Sequence, residues 1–212
     1  MPPFNSAIVR QAFAYAIDRA PLIEMAKRYD VDSATPATTL TPPDTLGRDL
    51  YGEVVISFDP EKARDLLAQA GYPDPSAFPD TIFLVSGYGA YPGARFNIAT
   101  AMVEMWNMHL GVTVEIEIVG GDWRQHYDRI ASNPSELYWF GWAADYNDPD
   151  NFLRELFQSD SQPVGGFTIS EFDNLVDRAA RGVSPAERQQ LYIQAERLLC
   201  KTEVAVIPLY QS

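Results

Sequence analysis

Cysteine is nearly absent. One residue, Cys200, occurs in 212, so no disulfide can form within the chain. It falls in an apolar helical stripe, where an inert buried thiol is expected rather than a nucleophile. Histidine is almost as scarce: His109 and His126 are the only two. They lack the spacing of a metal pair, and surface or capping roles are expected of both. No apolar run approaches the roughly 18 residues of a membrane span. The first residues, MPPFNSAIVRQ, have neither the basic start nor the apolar stretch of a secretory signal. That leaves a cytosolic protein or a trimmed part of an exported one. Basic side chains are few, 16 against 29 acidic, for a net charge of −13. Such a balance speaks against nucleic acid and anionic membranes as partners. It favours solubility and, through the overall field, cationic ligands.

What is present reads as a globular α/β chain, 46% hydrophobic and 21% charged. Residues 5–19 place Val9, Ala12, Phe13, Ala16 and Ile17 on one helical face, and Pro21 separates a second short helix. Residues 31–48, rich in Pro, Thr and Asp, read as a long irregular segment. In SFDPEKARDLLAQAGYPD, Asp59 caps a helix, Pro60 takes its first position and Gly71 ends it. TIFLVSG (81–87) and VTVEIEIVG (112–120) read as strands, each followed by a helical pattern. ELYWFGW (136–142) reads as a third strand. Asp150 or Asn151 is expected to cap FLRELF, Ser170 and Asp173 to form a capping box, and Ser184 and Glu187 another. VAVIPLY reads as a closing strand. The expected class is α/β, a mixed sheet flanked by helices.

The most unusual stretch is WFGWAADYNDPDNFL, residues 139–153. Side chains at strand ends often line clefts. Alternation along a strand would put Tyr138, Phe140 and Trp142 on one face and Trp139 on the other. The indole N–H of Trp142 is counted as a spare donor. Asp148 precedes a proline and is held extended. The three aspartates do not make a calcium loop of the EF-hand type. Pro149 stands at the fifth ligand position, Asp150 at the required glycine and Leu156 at the bidentate glutamate. A glycosidase using Asp145 and Asp148 is a rival reading, though the two share one short loop.

AIVRQAFAYAIDR, FDPEKARDLLAQAGYPD, GVTVEIEIVGGDW, GWAADYNDPDNFL, the 172–199 helices and AVIPLYQ occur in an order and spacing that resembles the extracellular solute-binding proteins of family 5. These are peptide-binding subunits of bacterial ABC importers. The resemblance covers nearly the whole chain. It implies a lobe of a type II periplasmic-binding-protein clamshell, with residues 1–212 as the C-terminal ligand-binding lobe of a longer protein. Its partners would be a di- or oligopeptide, the missing N-terminal lobe and a membrane permease. Its place would be the periplasm or a cell-surface lipoprotein. No enzymatic activity, cofactor or resident metal is implied. By the same resemblance Asp145 matches the aspartate that binds the peptide ammonium, and Trp142 a tryptophan beside the ligand. Trp139 stands where some tripeptide binders carry an arginine for the ligand carboxylate, and an aromatic there also suits a sugar, which leaves an oligosaccharide as an alternative ligand; the resemblance also extends to relatives that bind nickel complexes or haem, which leaves a chelated metal as another. Tyr138 and Tyr146 complete the expected ligand-binding set. Segment 31–48 is expected to border the cleft.

Overall fold

The structure, a computed structural model, describes residues 3–28, 34–43, 45, 54–88, 92–132, 135–160 and 168–211. The chain forms two compact units. The first contains Met1–Pro36, Ile56–Phe140 and Leu209–Ser212; the second contains Ala37–Val55 and Gly141–Pro208.

The first unit is built on two parallel crossovers. Strand β2 (Thr81–Ser86) leads through α4 (Pro92–Leu110) to β3 (Val114–Val119). Helix α5 (Trp123–Ser132) then leads to β4 (Leu137–Tyr138). The order is β3-β2-β4, all parallel, with Phe83 opposite Ile116 on one side and Leu137 on the other. A central parallel strand is covered on both faces, so β2 is apolar almost throughout. The edge strand β3 alternates, as its sequence does, and its Glu117 binds Arg129 of α5 at 2.9 and 3.0 Å. Antiparallel pairing lies in a separate ribbon, β1 (Thr35–Pro36) with β5 (Tyr210–Gln211).

Helices α1 (Ala7–Tyr15), α2 (Arg19–Arg28) and α3 (Pro60–Gln69) complete this unit. The apolar stripe of α1 is buried as its spacing predicts: Val9, Ala12 and Phe13 lie in the core, with Ala16 and Ile17 just beyond the helix. Pro21 lies inside the first turn of α2, where its missing N–H does no harm, and Asp18 accepts from Ala20 N at 3.0 Å. Asp59 caps α3 by accepting from Lys62 N at 3.0 Å, and Gly71 ends it at φ +101°. The core gathers aromatic rings from three elements. Phe13 of α1 lies 5.3 Å from Trp106 of α4, and Trp106 lies 5.6 Å from Phe83 of β2. The indole N–H of Trp106 donates to the Phe13 carbonyl at 3.0 Å, so the one polar atom of that ring is satisfied. Each buried ring stabilises by about 1.5–3 kcal/mol.

The second unit shows no strand among its described residues. Helices α7 (Ser170–Ala180) and α8 (Pro185–Arg197) pack on each other, and Phe172, Leu175, Val176 and Ala179 of the first and Leu191, Tyr192 and Ala195 of the second are buried. A π turn over Leu198–Thr202 extends α8 and buries Cys200, the inert environment expected of that thiol. The short helix α6 (Arg154–Phe157) precedes them. Of the irregular segment, residues 31–33, 44 and 46–48 lie outside the described residues. Its described part is anchored: Thr41 N donates to the buried Glu196 of α8 at 2.5 Å.

Four local expectations are corrected. The 136–142 strand is only Leu137–Tyr138, extended by one bond from Trp139 N to Leu84 O at 2.7 Å. VAVIPLY pairs only at its end, in β5. Ser184 does cap α8, accepting from Glu187 N at 3.3 Å, but α7 has no side-chain cap. Asp173, the expected box partner, instead accepts from Ser159 N and Oγ at 3.0 and 2.7 Å. Helix α6 likewise lacks a side-chain cap, because Asp150 and Asn151 are occupied elsewhere.

Candidate ligand-binding site

The loop of residues 141–153 belongs to the second unit, and its shape follows from Asp148-Pro149. Proline forces Asp148 into an extended conformation, φ −155° and ψ 143°. From there the Asp148 carboxylate accepts from Asp150 N at 2.9 Å and caps a single 3-10 turn, Pro149–Asn151. All three residues of the turn are buried.

Two of the three aspartates are neutralised. Arg188 of α8 donates from both terminal nitrogens to the two oxygens of Asp148, each at 2.8 Å. It also donates to Tyr192 Oη at 3.0 Å and to the Ala179 carbonyl at 3.2 Å. Asp150 receives Arg154 Nε and Nη2 at 2.9 and 2.7 Å, Tyr192 Oη at 2.9 Å and Tyr146 Oη at 3.1 Å. Burial raises the Asp150 pKa, but the Arg154 guanidinium and the two hydroxyls outweigh it, and the net shift is downward. The same contacts raise Arg154 and Arg188 above the ordinary guanidinium value, the hydrogen bonds to Asp150 and Asp148 being the largest causes. Both aspartates are therefore structural anions. Both oxygens of Asp148 are held by the Arg188 guanidinium.

Asp145 differs. Its side chain is exposed, and among the described residues its carboxylate has no hydrogen bond or ion pair. The groups beside it face inward. Asp145 N and the indole Nε1 of Trp142 both donate to Asn151 Oδ1, at 3.1 and 2.9 Å. The Trp142 indole N–H is thus engaged, not spare. Trp142 remains 37% exposed and Tyr146 44%. The loop carries one open carboxylate and two part-exposed aromatic residues. Such an arrangement accepts hydrogen bonds and attracts cations.

Tyr138 and Trp139 belong to the first unit. Trp139 is 9% exposed, its ring 6.4 Å from Tyr210, and its carbonyl accepts from His126 Nε2 at 2.8 Å. The flat face expected to suit a sugar is spent on the core. Tyr138 is half-buried, and burial pushes its hydroxyl pKa up to about 12. His126 corrects the expected surface role: it is 2% exposed, and its Nδ1 has no partner among the described residues. His109 is half-buried, with its ring 5.2 Å from Phe58. No group of three metal-ligating side chains occurs among the described residues. None of their helices is long and apolar enough to cross a membrane.

Residues 1–163 match the family described as bacterial extracellular solute-binding proteins, family 5 Middle. The chain belongs to this family. It is 30% identical over 213 residues to the periplasmic oligopeptide-binding protein OppA of Escherichia coli K12, covering 99% of this chain and 37% of that protein. Heme-binding protein A of Haemophilus influenzae is 30% identical over 215 residues, with 99% and 37% covered. Among solved structures, a periplasmic oligopeptide-binding protein of Borrelia burgdorferi has a TM-score of 0.84 at 26% identity, covering all of this chain and 40% of that one. This family 5 chain therefore spans less than half the length of these relatives. All three are named as binding proteins.

Sequence reasoning named Asp145, Trp142 and Tyr146 as candidates but missed the residues that hold this loop. Arg154 had a readable signal, being four positions after Asp150. Arg188 and Tyr192 had none, because they reach the loop from α8. The sequence marks Asn151 only as a candidate helix cap; its buried carboxamide instead serves the loop that precedes it.

Proposed function

We propose that this chain is the C-terminal ligand-binding lobe of the solute-binding component of an ABC importer. Its ligand is a di- or oligopeptide, captured without chemistry against the N-terminal lobe of a longer, exported protein and delivered to a membrane permease. Asp145 receives the peptide ammonium group, Trp142 and Tyr146 flank the adjoining backbone, and Trp139 and Tyr138 support the sheet rather than the ligand. The observation that carries this reading is the exposed Asp145 carboxylate, unpaired among the described residues, in a loop whose other two aspartates, Asp148 and Asp150, are locked by arginine. A carboxylate that a fold leaves open in a loop with part-exposed aromatic residues is suited to a cationic group, and a charge-assisted hydrogen bond there contributes roughly 1.5–3 kcal/mol. The naming of two of the three relatives as oligopeptide binders supports the choice of ligand.

The heme-binding relative, equally identical, supports a chelated metal as the second reading. Mass spectrometry of whatever co-purifies with the full-length protein separates them. Peptides are expected; a tetrapyrrole, another chelate or an oligosaccharide would overturn the peptide reading.

A further inference from the structure

We propose that Asn151 is the positioning residue of this site, one carboxamide oxygen setting the indole of Trp142 and the backbone of Asp145 in a single register. The inference rests on the reading above that Asp145 and Trp142 meet the ligand. Asn151 is 1% exposed. Its two partners, an indole N–H and a backbone N–H, are both donors, so the oxygen must face them, and its two lone pairs are then filled. The residue is itself held fast. It closes the Pro149–Asn151 turn, its N–H donating to the Asp148 carbonyl at 3.1 Å. That turn is fastened to α8 through Asp148–Arg188 and to α6 through Asp150–Arg154. Rigidity thus passes from two helices, through one buried amide, to both ligand-facing groups.

The arrangement also defines what the site reads. With its N–H turned inward, Trp142 meets the ligand through the apolar face and edge of the ring. Polar selectivity in this loop rests with the Asp145 carboxylate, an acceptor, so the group it selects is a donor or a cation.

The test uses the full-length protein, with trialanine and N-acetyl-trialanine as probes. Asn151→Ala is expected to move the Trp142 indole Nε1–H resonance, assigned with Trp142→Phe, and to speed its exchange. Asn151→Asp, which keeps an acceptor, restores it. In calorimetry Asn151→Ala lowers trialanine affinity about tenfold. In an Asp145→Asn background the same change costs clearly less, since both act on one contact. Asn151→Leu, similar in volume and without an acceptor, gives the same readouts where the alanine variant does not fold. An unmoved indole resonance, or fully additive losses, overturns the proposal. Failure of the parent protein to bind trialanine defeats the peptide reading, and the indole resonance then decides the role of Asn151 alone.

Discussion

Arg188 grips Asp148 across 40 residues of sequence, two nitrogens to two oxygens at 2.8 Å each. The pair is only partly exposed, 33% for the arginine side chain and 22% for the aspartate. Breaking a fully buried pair costs about 3–5 kcal/mol. With this exposure, Arg188→Met should destabilise by about 2 kcal/mol, read as a lower urea midpoint at unchanged slope. Because the pair fixes the turn that carries Asn151, ligand affinity should fall as well. A variant as stable as the parent would show that the pair contributes nothing.

Asp145 should behave as a recognition group, not a stabilising one. In the full-length protein, Asp145→Asn is expected to leave the melting temperature nearly unchanged. It should weaken binding of trialanine by about one to two decades, and affect the N-acetylated peptide much less. Equal losses for the two ligands would remove the ammonium role.

His126 makes stability depend on pH. Burial lowers its pKa from the model-compound value of 6.5, Arg95 adds to that, and the bond to the Trp139 carbonyl opposes it. The unfolded chain therefore binds a proton at a higher pH than the folded one. Stability from neutral His126 is complete above about 6.5 and is lost as pH falls through and below that value. His126→Gln keeps a donor for Trp139 without titrating, and should flatten the melting temperature between about pH 6.5 and 5. An unchanged slope there would assign the acid sensitivity to other groups.

Trp106 should be the costliest single truncation in the first unit. Removing it opens the space between α1, α4 and β2 and leaves the Phe13 carbonyl without its donor. Trp106→Ala is expected to cost about 3–5 kcal/mol, and Trp106→Phe roughly half of that. Calorimetric unfolding measures both, and a loss under about 1 kcal/mol for the alanine variant would contradict this packing.

Much of the architecture was legible because it is local. The cap at Asp59, the stop at Gly71 and the cap at Ser184 each depend on residues within one turn. The stripes of α1 and α7 are likewise periodic in sequence. Strands were legible where burial alternates or runs through, in β2 and β3. They are shorter than the pattern suggests at 136–142 and 204–210, where among the described residues only Leu137–Tyr138 and Tyr210–Gln211 pair.

The residues alone determined the α/β class, the order of the helices, the family resemblance and the loop that carries Asp145. Tertiary structure alone decided what each aspartate in that loop does. Three carboxylates within six residues are chemically alike until the fold brings Arg188 to one and Arg154 with Tyr192 to another, and turns Asn151 toward Trp142. A carboxylate's role is set by the charges and donors within a few ångströms, and those arrive from α8 and α6 through folding.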